Sequence, residues 1–223
     1  MKKILSIFAI ILCFALAYKC YFKQKFYISS LSRLDKKKSY IFLFLGDSIT
    51  KGTGAAYSYS DLIEDFFIQN GYNVKCINLA KNGATSYKML SITQKYISFY
   101  HPDVVFLSIG WNDLKNRIRI SEYEKNLLKI TYILKREKVR RIVFLSSTLV
   151  SLPIANLKIR KYNSVLKKIA IKYNFDFVDV YKYWQRNTHK LEDYLSYDGI
   201  HPNNNGQKLI FEVIKKSFLK KII

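Results

Sequence analysis

The run YIFLFLGDSIT, residues 40–50, decides how this chain folds. Its first six residues, Tyr40 to Leu45, are apolar or aromatic without interruption, and Gly46 ends them. A strand with one wet face alternates apolar and polar side chains. An unbroken run of this length instead predicts a strand covered on both faces. The same alternation of buried run and helical pattern continues outward. Residues 61–69 carry apolar side chains at helical spacing and stop at Asn70-Gly71. Residues 74–79 read as a second strand, 87–99 as a helix, and His101-Pro102 breaks the chain before a third strand at 104–109. Ser121 and Glu124 have the spacing of a capping box opening a helix to residue 136. A fourth strand at 141–146, a helix at 155–173, a fifth strand at 175–180 and a last helix at 205–218 complete the pattern. No internal repeat or second domain interrupts it. Five buried strands, each followed by a helix, predict an α/β fold with a parallel sheet covered on both sides. Ligands in such sheets sit at the carboxyl ends of the strands, near the point where strand order reverses. The residues just after strands one, two and three are therefore the ones to inspect.

Gly46-Asp47-Ser48 follows strand one. A serine at a strand-to-helix turn presents its hydroxyl at the sheet edge, beside backbone N–H groups, but it needs a base to take its proton. Asn82-Gly83-Ala84-Thr85 follows strand two, where Gly83 leaves its N–H accessible. Gly110-Trp111-Asn112-Asp113 follows strand three, and the Asn112 amide can point an N–H at developing negative charge. Asp198-Gly199-Ile200-His201-Pro202-Asn203 precedes the last helix, with a spacing that lets the carboxylate reach one imidazole nitrogen while the other faces the serine. Alone, each block reads as an ordinary turn, and His101 and His189 read as solvated. Together, in this order, they supply a nucleophile, two oxyanion donors, and a base with its orienting acid, which are the parts of an acyl-transfer site.

On these four blocks the chain resembles the SGNH hydrolases, also called GDSL esterases and lipases, over roughly residues 39–218. The first block has Ile49 where the family name has Leu. The resemblance implies a flavodoxin-like three-layer α/β/α sandwich with a five-stranded parallel sheet. It also implies Ser48 as nucleophile and Asp198 and His201 as its partners. The oxyanion hole is then built from the Ser48 and Gly83 N–H groups and the Asn112 amide. No metal or organic cofactor is implied. The activity expected is hydrolysis of a carboxylic ester, on an acylated small molecule, a surface glycan or a lipid. Two alternatives share the sequence features: an O-acyltransferase using the same three residues, and a non-catalytic surface-binding module.

The flanks bear on location. Lys2 and Lys3 precede an apolar stretch, Ile4 to Ala17, broken only by Ser6, and Ala15-Leu16-Ala17 resembles a cleavage site. Residues 1–22 therefore read as a signal peptide or a membrane anchor, 23–38 as a basic linker, and 39–223 as the domain, exported in either case. Neither Cys13 nor Cys20 follows a small residue, which argues against a lipid-modified cysteine. Cys76 stands alone in the domain and reads as a small buried hydrophobe. Thirty-eight Lys and Arg against 16 Asp and Glu give a net charge of +22. The cations are scattered, so the excess reads first as composition and second as attraction to an anionic membrane or wall surface. No nucleic-acid-binding motif accompanies them, and no nucleic-acid partner is expected. The aromatic segment 181–197 with Trp184, and Tyr57 and Tyr59, are candidates for pocket walls, with packing as the competing role.

Overall fold

A computed structural model describes Leu31 and residues 33–223. The segment read as signal or anchor, 1–22, lies outside the described residues, as do residues 23–30 of the linker. Leu31 and Leu34, also in the linker stretch, are buried, and the Leu34 N–H donates to the Ile222 carbonyl at 2.6 Å.

In chain order the elements are β1 (Ser39–Gly46), α1 (Ser48–Lys51), α2 (Tyr59–Gln69), β2 (Asn73–Asn78), α3 (Ser86–Tyr100), β3 (Val104–Ser108), α4 (Trp111–Lys115) and α5 (Ile120–Arg136). There follow β4 (Arg141–Leu145), α6 (Pro153–Tyr173), β5 (Asp176–Val178), α7 (Val180–Asn187), a 3-10 turn (Leu191–Tyr194) and α8 (Asn204–Ile214). A π-helical turn (Lys215–Leu219) and a short last turn, α9 (Lys220–Ile222), close the chain. The five strands form one parallel sheet in the order β2-β1-β3-β4-β5, the three-layer arrangement expected from the sequence.

Side chains alternate between two buried layers. Leu43 and Leu45 of β1, with Val105 and Leu107 of β3, pack toward α3, α5 and α6. Phe42 and Phe44, with Val104 and Phe106, face the opposite layer with α2, α7 and α8. The Phe44 and Phe106 rings stack at 4.7 Å, and Phe218 meets Phe106 edge-on at 5.6 Å, so the C-terminal turns are pinned to the sheet centre. Strand order reverses between β1 and β3. Their register, Phe44 opposite Phe106 and Gly46 opposite Ser108, brings the turns after both strands to the same level.

Two local expectations are corrected. The box of Ser121 and Glu124 does not form, because α5 begins one residue earlier, at Ile120, with Arg119 as a cap lacking a side-chain bond. The capping box belongs to α2 instead. There the Ser58 hydroxyl accepts from the Asp61 N–H, and the Asp61 carboxylate accepts from the Ser58 N–H at 2.8 Å. The fifth strand is shorter than 175–180 because Asp179 caps α7, accepting the Lys182 N–H at 3.0 Å, so the first part of the 181–197 segment is helix.

Phe106 is fully buried and touches rings from β1 and the C-terminal turns. Phe106→Ala should lower unfolding stability by about 3–5 kcal/mol, measured by urea denaturation.

Candidate active site

The turn after β1 is fixed from below. Asp47 caps α1, its carboxylate accepting the Ile49 N–H at 3.0 Å, and this places Ser48 half-buried at the first helical position. The Asn78 amide donates to the Thr50 carbonyl at 2.8 Å, and the Gln207 amide donates to the Ile49 carbonyl at 3.0 Å. Tyr59 adds its hydroxyl to Thr50 Oγ1 at 3.0 Å, and its own N–H donates to Gln207 Oε1 at 2.9 Å. Side chains from β2, α2 and α8 thus hold the serine turn. Burial pushes the Asp47 carboxyl up to about 7, with the nearby Asp113 carboxylate adding to the rise. The Ile49 N–H and the charge on His201 act against it.

The loop before α8 supplies the imidazole. Its Asp198 carboxylate spans the turn, with Oδ1 accepting the Ile200 and His201 N–H groups at 2.9 and 3.0 Å. Oδ2 lies 2.5 Å from His201 Nδ1, and His201 Nε2 lies 2.8 Å from Ser48 Oγ across 153 positions of sequence. Partial burial would raise the Asp198 carboxyl, but the hydrogen bonds from the His201 side chain and backbone and from Ile200 outweigh it. They hold the carboxyl below its ordinary value. An ionised carboxylate only accepts, so the Nδ1 facing it carries the proton and Nε2 is left to accept from the serine hydroxyl. Gly54, at φ +91°, lets the loop after α1 run against this histidine. A Cβ there would stand 2.9 Å from the His201 Cβ.

Gly83 and Asn112 border the same cleft as Ser48 and His201. Gly83 sits at φ +70° with nothing within 4 Å of where a Cβ would be, and its loop is tied back by the Thr53 hydroxyl donating to Asn82 Oδ1 at 3.0 Å. Asn112 is the second residue of α4. The next residue, Asp113, is buried and accepts both the Ser86 N–H, at 2.9 Å, and the Ser86 hydroxyl, at 2.5 Å. The turn after β3 is thereby bound to the start of α3, just beyond Gly83. Burial raises the Asp113 carboxyl, and the bonds from Ser86 oppose the rise. The sequence blocks include Asp113 without a role, and they omit Asn78 and Gln207. Each stands among other polar residues of its element, Asn73 and Lys75 in β2 and Asn204, Asn205 and Lys208 in α8, so no local signal set those two apart.

The cleft encloses about 470 Å³. Beyond its polar end, Trp111 and Leu114 line one part and Val150, Leu152 and Ala155 another. The aromatic residues weighed as pocket walls do not line the cleft, and Trp184, Tyr59 and Tyr181 take the competing packing role. Trp184 and Tyr59 are buried in the core below α7, α8 and α2, Tyr181 is buried with its hydroxyl on the Asn156 carbonyl, and Tyr57 lies against Asn204. His101 and His189 are exposed, as expected. Cys76 is half-buried on the outer strand β2 rather than enclosed. Among the described residues no group of three or more His, Cys, Asp or Glu side chains could hold a metal ion.

The sequence pattern of the GDSL-like lipase/acylhydrolase family matches residues 44–209. No curated protein matches the chain. Among solved structures, TesA superposes with a TM-score of 0.70 at 19% identity, covering 82% of this chain and 99% of its own. Axe2, an acetylxylan esterase from Geobacillus stearothermophilus, gives 0.73 at 19% identity, covering 85% and 99%. LAE5, an alpha/beta hydrolase from the metagenome of Lake Arreo, Spain, gives 0.69 at 20% identity, covering 82% and 97%. These likenesses are likenesses of fold.

The elevated Asp47 carboxyl has a consequence for stability. A carboxyl whose folded value, about 7, lies above its unfolded value binds more protons in the folded state over the interval between them. Its contribution is present in full below about pH 4 and is lost as pH rises through about 7. Asp47→Asn keeps the acceptor for Ile49 but cannot ionise. Relative to the parent it should gain stability progressively from about pH 4 to 7, on the order of 4 kcal/mol at the upper end, read from urea melts across that range.

Proposed function

Because the chain belongs to the GDSL-like lipase/acylhydrolase family, we propose that it is a serine esterase in which Ser48 attacks the ester carbonyl. The observation that carries this reading is the continuous hydrogen-bonded path from Asp198 through His201 to Ser48. In the proposed reaction His201 Nε2 takes the Ser48 proton as Oγ bonds to the carbonyl carbon, and Asp198 stabilises the imidazolium that forms. The oxyanion accepts hydrogen bonds from the Ser48 and Gly83 N–H groups and the Asn112 amide. His201 then protonates the departing alcohol. Water, deprotonated in turn by His201, releases the acid and restores the serine.

The proposed substrate is a lipid-type ester rather than an acetylated glycan. An acetyl group would leave most of the wall formed by Trp111, Leu114, Val150, Leu152 and Ala155 without a partner, whereas an acyl chain would cover it. Axe2 is named as an acetylxylan esterase, so an acetylated glycan is the natural competitor. Export, through residues 1–22, belongs to the same proposal. No helix among the described residues is long and apolar enough to cross a membrane.

A panel of chromogenic esters graded by acyl length, together with an acetylated xylan, tests the substrate. The rate should rise from acetyl to medium chains, and a preference for the acetylated glycan would overturn the lipid assignment. Ser48→Ala should abolish hydrolysis and labelling by a fluorophosphonate, and parent-like turnover in that variant would end the mechanism. Asn112→Ala should reduce turnover by about 10²–10³. A protonated imidazole cannot accept the serine proton, so activity should fall as the solution is acidified. A flat profile in His201-intact enzyme would count against its role.

A further inference from the structure

The large apolar side chains left exposed are not scattered evenly. Leu152, Ile154 and Leu157, at the start of α6, and Tyr197 and Ile200, in the histidine loop, are all exposed, Tyr197 completely. Leu152 and Ile200 also line the cleft, so the group stands at its mouth. The two segments are joined by the Ser151 N–H donating to the Gly199 carbonyl at 2.8 Å. The α6 segment is held in place as well: the Asn156 side chain accepts from the Val150 N–H at 3.0 Å and donates to the Val150 carbonyl at 2.7 Å. These side chains are therefore presented to solvent by a braced backbone. A monomeric protein that holds contiguous apolar groups outward around a ligand cleft is presenting a contact surface.

Charge identifies what would cover it. Ile154 and Leu157 lie on the side of α6 opposite the buried Ile159, Tyr162 and Leu166, and Lys161 shares that side. Lys158 and Arg160 flank it, both exposed. From residue 138 to residue 175 the chain contains no Asp or Glu at all, while α6 alone carries six Lys and Arg (158, 160, 161, 167, 168 and 172). Lys115 joins the lining of the cleft as well. Lys168 pairs with Glu124 at 3.5 Å, and Lys167 and Lys172 lie over the Phe177 and Tyr173 rings, so the cations beside the apolar group are Lys158, Arg160 and Lys161. Apolar side chains set beside such cations on one helix have the composition of a segment lying in an anionic lipid interface. A protein partner or a second copy of this strongly cationic chain would have to bring its own acidic groups, and a second copy carries the same +22 excess.

We infer that the mouth of the cleft docks on an anionic lipid surface. Leu152, Ile154, Leu157, Tyr197 and Ile200 enter the boundary between headgroups and acyl chains, and Lys158, Arg160 and Lys161 meet the phosphates. The purpose of docking, delivery of an ester from the lipid phase straight into the cleft, rests on the esterase reading. The docking itself does not.

The test uses the full-length chain carrying Leu157→Trp, which adds an emitter on the patch to Trp111 and Trp184. Phosphatidylglycerol vesicles with brominated acyl chains should quench the added emission by about half or more, and phosphatidylcholine vesicles several-fold less. Ile154→Asp in the same background should weaken the vesicle affinity read by quenching about ten-fold. It should leave hydrolysis of a water-soluble short-chain ester unchanged. Added emission that phosphatidylglycerol vesicles do not quench overturns the inference, as does equal quenching by both lipids or quenching insensitive to Ile154→Asp. Shielding of the added indole by raised protein concentration alone, or by a soluble acidic glycan, overturns it in favour of a second copy or a wall polymer. Because the emission needs no turnover, an inactive but docking protein and an active but non-docking one are told apart.

Discussion

β1 has neighbours on all four sides: β2 and β3 along its edges, and a helical layer against each face. A polar side chain within it would lose water and find no partner, so the strand is apolar from Tyr40 to Leu45, and the polar side chains that follow, Asp47 and Ser48, fall at the carboxyl edge. The edge lies beside β3, where strand order reverses, and the Gly46–Ser108 register sets the turn carrying Asn112 at the same height. The position of the cleft follows from this one buried strand. Helices diverge to either side of it, and the space between the two turns is where no layer covers the strand ends.

That dependence explains what could be read from the chain before its coordinates. Runs such as 40–45 and 104–109 are buried on both faces, and burial leaves a continuous apolar record in sequence. The order of the four blocks could be read for the same reason, since three of them mark strand ends. Helix starts were less legible. S-x-x-E at Ser121 matches a capping box, but α5 already begins at Ile120, capped by Arg119, while Ser58 caps α2 with an aspartate at the third position. Amphipathic α7 was hidden because its short apolar face, Val180, Tyr181 and Trp184, sits in a stretch rich in aromatic and charged residues. Aromatic density there suggested a pocket wall, whereas Trp184 fills the core between α8 and the sheet.

Support for the cleft also comes from long-range polar contacts, which no local pattern encodes. Gln207 reaches the Ile49 carbonyl across 158 positions, and Asn78 reaches Thr50 across 28. Each satisfies a buried backbone group that the turn after β1 takes out of water, so each is required by the serine's position without advertising that purpose in sequence. Asp113 does the corresponding work between the turns after β2 and β3, by accepting the N–H and hydroxyl of Ser86. The blocks therefore name the groups that face the cleft, and the coordinates name the groups that hold them there.

Asp47 and Asp198 show why two carboxylates near the same imidazole are not interchangeable. Burial dominates at Asp47, the Ile49 N–H and the charge on His201 oppose it without overcoming it, and the carboxyl rises to about 7. At Asp198 burial is again the largest single influence and acts upward, but the imidazole and two backbone N–H groups together overcome it. In the proposed reaction the acceptor that fixes the histidine tautomer stays ionised while the proton moves elsewhere. The loop Asp198-Gly199-Ile200-His201 meets that requirement by folding its own N–H groups onto the carboxylate, so the acid is held down by the same turn that aims the imidazole. Asp47, spent on capping α1, keeps the serine in place and leaves the orientation of His201 to the better-solvated acid.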